Sequence, residues 1–110
     1  MTETNEHALR KLKLTSDIVL YAAGGVPSDD EMARSPRIED WRVVNRVKPV
    51  ETMLDRCMSI VGKVHNRANI ADGERITTSA VVWFDRHSRF VRTINRLYAL
   101  GEPAESGDDR

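Results

Sequence analysis

Two segments in the last third of the chain are rich in β-branched and aromatic residues, and they constrain the fold more than any other feature. The first segment runs from Glu74 to Asp85, the second runs from Arg89 to Leu100, and the short polar turn 85–89 joins them. Such side chains favour pleated strands, and a short polar turn reverses the direction of the chain. The pattern predicts a long antiparallel hairpin, and therefore a fold that contains a β-sheet.

The second arm of this hairpin also fits the spacing of a helix. Five of its apolar residues recur at helical spacing, and Gly101 and Pro103 are placed to end such a helix. These five residues are Phe90, Val91, Ile94, Leu97 and Tyr98. We favour a strand because most of these residues prefer β structure and because the two arms match in length. The helix over residues 90–100 remains the alternative.

Residues 5–23 predict an amphipathic helix. One face is apolar, and Leu14 and Ile18 widen it. The face consists of Ala8, Leu9, Leu12, Val19 and Ala23. We expect this face to lie on the sheet. Gly24-Gly25 and Pro27 end the helix, because glycine tolerates the left-handed conformation of a helix C-terminus and proline cannot continue the helix.

A second, short helix is predicted over residues 29–34. Ser28 and Glu31 have the spacing of a capping box, in which the Ser28 hydroxyl accepts a hydrogen bond from the Glu31 amide. The helix is expected to end before Ser35-Pro36, because a proline disfavours helical conformation in the residue before it.

The middle of the chain predicts further strands. The segment from Trp41 to Lys48 partly alternates and stops at Pro49, which is typical of a strand near a sheet edge. Trp41 is expected in the core. Residues 58–64 are also strand-like, and Gly62 within them predicts a bulge or a close backbone approach. Residues 52–58 remain ambiguous between a turn and the start of this strand.

These elements predict an α+β fold. The N-terminal helix and one short helix would pack on a three- to four-stranded antiparallel meander or a small, partly open barrel. We expect a single domain over residues 1–101, with its helical part at about 5–35 and its β part at about 41–100. Residues 102–110 are expected to form a flexible acidic tail.

The composition indicates a globular chain. Of its 110 residues, 40% are hydrophobic and 31% are charged, whereas disordered chains have low hydrophobicity and a high net charge. The chain has neither an apolar run near the length of a membrane span nor an N-terminal secretory signal, so we expect a cytoplasmic protein. The lone Cys57 is expected to be a small buried hydrophobic side chain.

The net charge of zero conceals a segregation along the chain. Residues 1–41 carry five basic and eight acidic side chains, residues 42–97 carry eleven and five, and residues 98–110 carry one and four. A basic central segment can attract an anionic partner such as nucleic acid. The acidic segments can equally neutralise it within the molecule, or the charges can be solvated surface.

The sequence does not predict an enzyme. Its polar candidates lack a recognised nucleophile turn, a phosphate-binding loop or the paired spacing of zinc ligands. The candidates are Cys57, His65, Asp72, Thr77, Thr78, Ser79, Asp85 and His87. We therefore predict no catalytic residue, no cofactor and no metal site.

The predicted hairpin offers one candidate binding face. Alternation along its first arm turns Ile76, Val82 and Phe84 inward and leaves Arg75 and Trp83 outward. With the basic residues of the second arm, the candidate binding residues are Arg75, Trp83, Arg92 and Arg96. Alternatively, the N-terminal helix covers Trp83 and these residues are ordinary surface.

Two hypotheses for the function follow. The first is a small non-catalytic accessory or regulatory domain that binds an unknown protein partner or a second copy of itself. The alternative is a small β module that binds single-stranded nucleic acid weakly, through its basic sheet face and one stacking aromatic. An uncharacterised enzyme is the least favoured hypothesis.

Several short motifs together resemble a family of short, uncharacterised proteobacterial proteins. The motifs are Gly24-Gly25-Val26-Pro27-Ser28, residues 38–44, Gly62-Lys63-Val64-His65, Asp72-Gly73, Ile76, Thr78-Ser79, Val91-Arg92-Thr93, Asn95-Arg96, Tyr98 and Leu100-Gly101. The chain departs from the family pattern at Asn66-Arg67, where Gly-His-Pro is usual. The resemblance implies a small bacterial cytoplasmic domain and carries no activity with it.

Overall fold

A computed structural model describes the backbone of residues 2–50 and 53–104, and the side chains of Glu6 and of residues 8–45 and 57–104. The described elements are α1 (Thr2–Ala22), α2 (Asp29–Arg34), β1 (Arg37–Val50), β2 (Met53–His65), β3 (Glu74–Thr77), β4 (Val81–Asp85), β5 (Phe90–Thr93) and β6 (Leu97–Leu100). The predicted α+β class is confirmed. The predicted three- to four-stranded antiparallel meander is wrong, because the described strands form one mixed sheet of six.

The strand order in this sheet is β3-β2-β1-β6-β5-β4. Strands β1 and β6 run parallel, with Arg37 opposite Ala99 and Ile38 opposite Leu100, and the other neighbours are antiparallel. The two edge strands, β3 and β4, are consecutive in the chain, and only residues 78–80 connect them. Because the four Cα–Cα steps from Thr77 to Val81 span at most about 14 Å, the open sheet must curve until its two edges approach each other.

The predicted single long hairpin is therefore wrong in its first arm. Residues 74–77 pair with β2, whereas residues 81–85 pair with β5 at the opposite edge. Thr78 marks the point of divergence, because its amide donates to the Ile60 carbonyl and its hydroxyl accepts from the Ile60 amide, at 2.9 and 3.0 Å. The side chain of Thr78 thus substitutes for a backbone partner, and the strand ladder stops there.

The second arm is a strand rather than a helix, and it is broken in the middle. The Thr93 hydroxyl accepts hydrogen bonds from the amides of Asn95 and Arg96, at 3.2 and 3.0 Å. This local turn separates β5 from β6, which then pair with each other as an antiparallel hairpin. Only the β4–β5 part of the predicted hairpin therefore exists.

The longest hairpin is β1–β2. A bulge interrupts it, because Glu39 pairs with Lys63 and Arg42 pairs with Val61, which leaves Asp40 and Trp41 opposite Gly62 alone. The prediction of a bulge or close approach at Gly62 is confirmed. Strand β1 lies inside the sheet, not at an edge as predicted. Its ladder with β6 covers only residues 37–38, so Pro49 lies where one side of the strand has no β6 partner.

The core has two parts, one on each face of the curved sheet. The first consists of Ile38, Trp41, Ile60, Val64, Val91, Tyr98 and Leu100. The second lies under the helices and consists of Tyr21, Phe90 and Leu97. Trp41 is a core residue as predicted, and its indole donates to the Gly101 carbonyl at 2.9 Å. Cys57 is only half-buried, and Val82 is exposed although we predicted it inward.

Local sequence signals set the helix ends as predicted. Helix α1 ends at Ala22, and Gly24 adopts a φ of 94° while its amide bonds the Tyr21 carbonyl at 2.9 Å. Helix α2 spans residues 29–34 as predicted, with the Ser28 hydroxyl accepting from the Glu31 amide at 3.1 Å. The Glu31 carboxylate does not complete the capping box, because it forms an ion pair with Lys13.

The packed part of the chain extends through Ala104. Pro103 bridges to Trp41, and the Ala104 amide donates to the Trp41 carbonyl at 2.8 Å. The first residues of the predicted acidic tail therefore contact the sheet, three residues beyond the predicted boundary at 101. The rest of that predicted tail, residues 105–110, lies outside the described residues.

Candidate functional site

Helix α1 turns a polar side toward the sheet and leaves its most apolar side exposed. Asp17 and Tyr21 are 5% and 3% exposed, and they are the buried side chains of this helix among the described residues. Four large apolar residues, which we call the α1 stripe, are exposed to solvent. Their exposed fractions are 63% for Leu9, 65% for Leu12, 63% for Val19 and 45% for Leu20. The prediction that the apolar face of this helix lies on the sheet is wrong.

One aromatic residue holds α1 in this orientation. The ring of Tyr21 lies 4.9 Å from the ring of Phe90 and 5.7 Å from the ring of Trp83. A tyrosine buries more apolar surface than a leucine, so this one contact competes with the several small aliphatic contacts that the helical pattern predicted. Burial raises the pKa of Tyr21 to about 12. Trp83 is half-buried beneath the helix, as the alternative interpretation of the sequence predicted.

The side chains of α1 that are buried, among those the structure describes, lie in its second half. The described side chains before Leu14, Glu6 and residues 8–13, are all exposed. A helical segment of this length is marginal in water by itself, and packing of an apolar face normally stabilises it. The described side chains before Leu14 therefore include two large apolar residues, Leu9 and Leu12, that are exposed to solvent.

A buried ion pair joins α1 to the sheet. The Arg92 Nε atom lies 3.2 Å from Oδ2 of Asp17, and both side chains are more than nine-tenths buried. Lys13 donates to the other oxygen of Asp17 at 2.8 Å and to Glu31 at 3.0 Å. The hydrogen bond with Asp17 is the main cause that raises the pKa of Lys13. This network connects α1, α2 and β5.

The same network forms the floor of a groove with a volume of about 640 Å³, between the two helices and the turn from β5 to β6. Five cationic side chains line the groove against two carboxylates, so its lining carries an excess of three positive charges. The cations are Arg10, Lys13, Arg34, Arg92 and Arg96, the carboxylates are Asp17 and Glu31, and the apolar residues include Leu9, Ile94 and Leu97.

The structure does not bring the four predicted binding residues together. Arg75 lies on β3 at one edge of the sheet, 3.8 Å from Asp40, whereas Trp83 lies on β4 at the other edge. Arg92 is buried against Asp17, and Arg96 lines the groove. Trp83 is the ladder partner of Arg92, but of the predicted set only Arg92 and Arg96 line the groove.

Sequence reasoning missed the groove residues on the two helices. Lys13 and Asp17 are four residues apart, which is the spacing of an intrahelical ion pair. This spacing was the available signal, because it indicated that the polar side of α1 carries an organised charge pair. The partner on the sheet, Arg92, is distant in sequence, so the spacing alone did not identify it.

The polar residues that we considered for catalysis have structural roles where the structure describes their contacts. Asp72 accepts from the Asn66 amide at 2.9 Å and Asp85 accepts from the Ser88 amide at 2.8 Å, and both contacts close turns. The Ser79 hydroxyl accepts from the side-chain amide of Asn95 at 2.6 Å. Within the described residues, histidine, cysteine and carboxylate side chains form no cluster of three or more that suits a metal ion.

Comparison with protein-family models, curated proteins and solved structures found no match to this chain. The resemblance to uncharacterised proteobacterial proteins therefore stays a prediction. Within the described part of the chain, neither helix is long and apolar enough to cross a membrane.

Proposed function

We propose that this chain is a small non-catalytic accessory domain that acts through protein–protein interaction, and that its interaction surface is the α1 stripe. The observation that supports the proposal is the exposure of four large apolar side chains on one side of a helix whose described side chains before Leu14 are all exposed. Contiguous exposed apolar surface on a soluble domain commonly marks an interface. The occupant that we propose is a second copy of the chain.

The stripe supplies enough apolar surface for a weak dimer. Complete burial of a leucine or valine side chain contributes about 1.5–3 kcal/mol, so side chains that are half to two-thirds exposed contribute roughly 1–1.5 kcal/mol each. Eight of them in a dimer contribute about 8–12 kcal/mol, and association costs at least about 4 kcal/mol. With an association cost near this lower value, we expect a reversible dimer with a dissociation constant on the order of 1 µM to 1 mM.

The arrangement of the stripe suits antiparallel pairing with itself. Its members lie on both sides of the small, exposed Ser16: Leu12 precedes it by four residues and Leu20 follows it by four. Leu9 and Ala23 likewise precede and follow it by seven residues. A two-fold axis near Ser16 therefore places large residues of one helix against apolar residues of the other, as a self-complementary interface requires.

Charge favours the antiparallel arrangement over a parallel one. Three basic residues, Arg10, Lys11 and Lys13, lie close together in the first 13 residues of α1. A parallel pair brings the two basic segments together, whereas an antiparallel pair keeps them on opposite sides of the two-fold axis. The helix dipoles also oppose each other favourably in an antiparallel pair.

The nucleic-acid hypothesis receives less support from the geometry. Arg75 lies 3.8 Å from Asp40, Trp83 is half-buried against Tyr21, and Arg92 is buried with a carboxylate. A single strand of nucleic acid needs a continuous basic track with exposed aromatic faces. The interaction proposal needs only the surface that α1 already presents.

Light scattering over a range of concentrations tests the proposal. We expect the mass to rise from 12.5 kDa toward twice that value as the protein approaches about 1 mM. Leu12→Arg should remain a monomer over the same range, because a charge then lies at the centre of the stripe. Arginine and leucine have similar helix propensities, so circular dichroism should show unchanged helix content.

Val82→Arg is the matched control, because Val82 is also an exposed apolar residue but lies on β4 outside the stripe. It should dimerise like the parent protein. A parent protein that stays monomeric up to about 1 mM would contradict the proposal, and so would equal dimerisation of the Leu12→Arg variant.

A further inference from the structure

The groove between α1, α2 and the β5–β6 turn lies beside the stripe and is chemically different from it. We propose that this groove is a binding site for a small phosphorylated ligand with an apolar portion. Its volume of about 640 Å³ falls within the range of small-molecule sites, which is about 300–1,000 Å³.

The positive charge of the groove is only partly neutralised within the molecule. Asp17 and Glu31 are already shared between Lys13 and Arg92. Among the described side chains, Arg10 and Arg96 form no ion pair with a carboxylate, and Arg34 approaches only the exposed Asp30, at 3.9 Å. Arg10 on α1, Arg34 on α2 and Arg96 in the β5–β6 turn therefore line one concave surface, and the carboxylates of the groove do not neutralise their charge.

Arginine is the cation that favours phosphate at such a site. Its planar guanidinium group donates two parallel hydrogen bonds to a phosphate, and its charge persists at every physiological pH. The buried Arg92 is held in place by Asp17, so the floor of the groove is already organised before a ligand arrives. Arg10 and Arg34 are exposed and Arg96 is half-buried, so their guanidinium groups can turn toward an anion in the groove.

The apolar residues of the groove indicate the second part of the ligand. Leu9 and Ile94 are 63% and 49% exposed, and Leu97 lies beside them in the lining. An apolar group attached to the phosphate would cover Leu9 and Ile94 and gain from their removal from water, whereas Leu97 is already buried. A free phosphate would gain only from the arginines, so we expect it to bind more weakly than a phosphate monoester.

The groove and the stripe share only Leu9. Leu12, Val19 and Leu20 do not line the groove, and Arg34 and Arg96 do not belong to the stripe. Ligand binding therefore does not require the dimer. A monomeric Leu12→Arg variant should bind the ligand like the parent protein, which keeps the two proposals separable.

Titration with phenyl phosphate tests this site, with binding measured by calorimetry and by amide chemical shifts. We expect saturable binding that weakens as salt is added, with the largest shifts at residues 94–96. Arg96→Gln and Arg34→Gln should each raise the dissociation constant roughly tenfold, because each removes a charge-assisted hydrogen bond. Inorganic phosphate should bind more weakly than phenyl phosphate, and phenol should not bind measurably.

Arg75→Gln is the matched control, because Arg75 is an exposed arginine on β3 that does not line the groove. It should bind phenyl phosphate like the parent protein. The proposal would be overturned by the lack of saturable binding at low ionic strength. Equal loss of affinity in Arg75→Gln and Arg96→Gln would overturn it as well, because it would show attraction by overall charge rather than a site.

Discussion

Arg92→Ala is expected to lower the free energy of unfolding by about 3–5 kcal/mol, because it leaves the Asp17 carboxylate buried without its guanidinium partner. Both side chains are almost completely removed from water, and Asp17 Oδ2 lies 3.2 Å from Arg92 Nε. Lys13 still contacts the other oxygen of Asp17, but Lys13 is half-exposed and also binds Glu31. Urea denaturation followed by circular dichroism, at one fixed protein concentration, measures the change.

The double variant Asp17→Leu/Arg92→Met tests whether the loss of stability in Arg92→Ala comes from a buried charge without a partner. Removing both charges leaves neither buried without a partner, so the double variant should be more stable than Arg92→Ala. Arg75→Ala is the control for loss of an exposed arginine, and it should change the stability by less than about 0.5 kcal/mol. A loss in Arg92→Ala as small as that in Arg75→Ala would show that the buried pair does not hold α1 on the sheet.

Gly62→Ala is expected to lower the free energy of unfolding by at least about 2 kcal/mol. A β-carbon at this position would lie 2.5 Å from Cγ2 of Ile38, 2.9 Å from the Glu39 carbonyl oxygen and 3.0 Å from Cα of Trp41. Two of these three atoms belong to the backbone of β1, so no side-chain rotation relieves the contact. The bulge opposite Gly62 must shift, and it carries the core residue Trp41 with it.

Gly73→Asn is the control for this substitution. Gly73 has a φ of 88° and no atom within 4 Å of an added β-carbon, and asparagine tolerates left-handed backbone better than other residues. We expect Gly73→Asn to cost about 1 kcal/mol or less. If Gly62→Ala is no less stable than Gly73→Asn, the bulge is not fixed by close approach of the two strands.

The features that the sequence predicted correctly depend on neighbours in the chain. Ser28 caps α2 through the amide of Glu31, three residues away, and Gly24 provides the left-handed residue that ends α1. Gly62 stands out in the sequence because a glycine within a strand pattern commonly marks a bulge or a close backbone approach. Local chemistry of this kind decides where helices end and where strands bend, so it can be read without the tertiary structure.

The features that the sequence did not predict depend on competition between distant contacts. Residues 74–85 look like one strand, but Thr78 bonds Ile60 and divides them between the two edges of the sheet. The apolar face of α1 looks like a core face, but the contact of Tyr21 with Phe90 and the ion pair of Asp17 with Arg92 turn it outward. Neither outcome can be predicted from residues that are close together in the sequence.

For the same reason, only part of the candidate site could be predicted from the sequence. Arg92 and Arg96 were singled out for their charge, but their assignment to an open sheet face assumed a continuous strand. The turn at Thr93 instead directs Arg96 to the groove, and Asp17 draws Arg92 into the interior. To predict the site residues on the helices, one would need to know which side of α1 faces the sheet.

Cross-linking at Ser16 tests most directly the central claim, that two copies pair antiparallel through the α1 stripe. In a Cys57→Ser background, Ser16→Cys places one thiol near the proposed two-fold axis, whereas Ala8→Cys places the two thiols about 24 Å apart. We predict that a short bis-maleimide converts Ser16→Cys to a covalent dimer and leaves Ala8→Cys monomeric. A monomeric Ser16→Cys protein, or equal cross-linking at both positions, would contradict the claim.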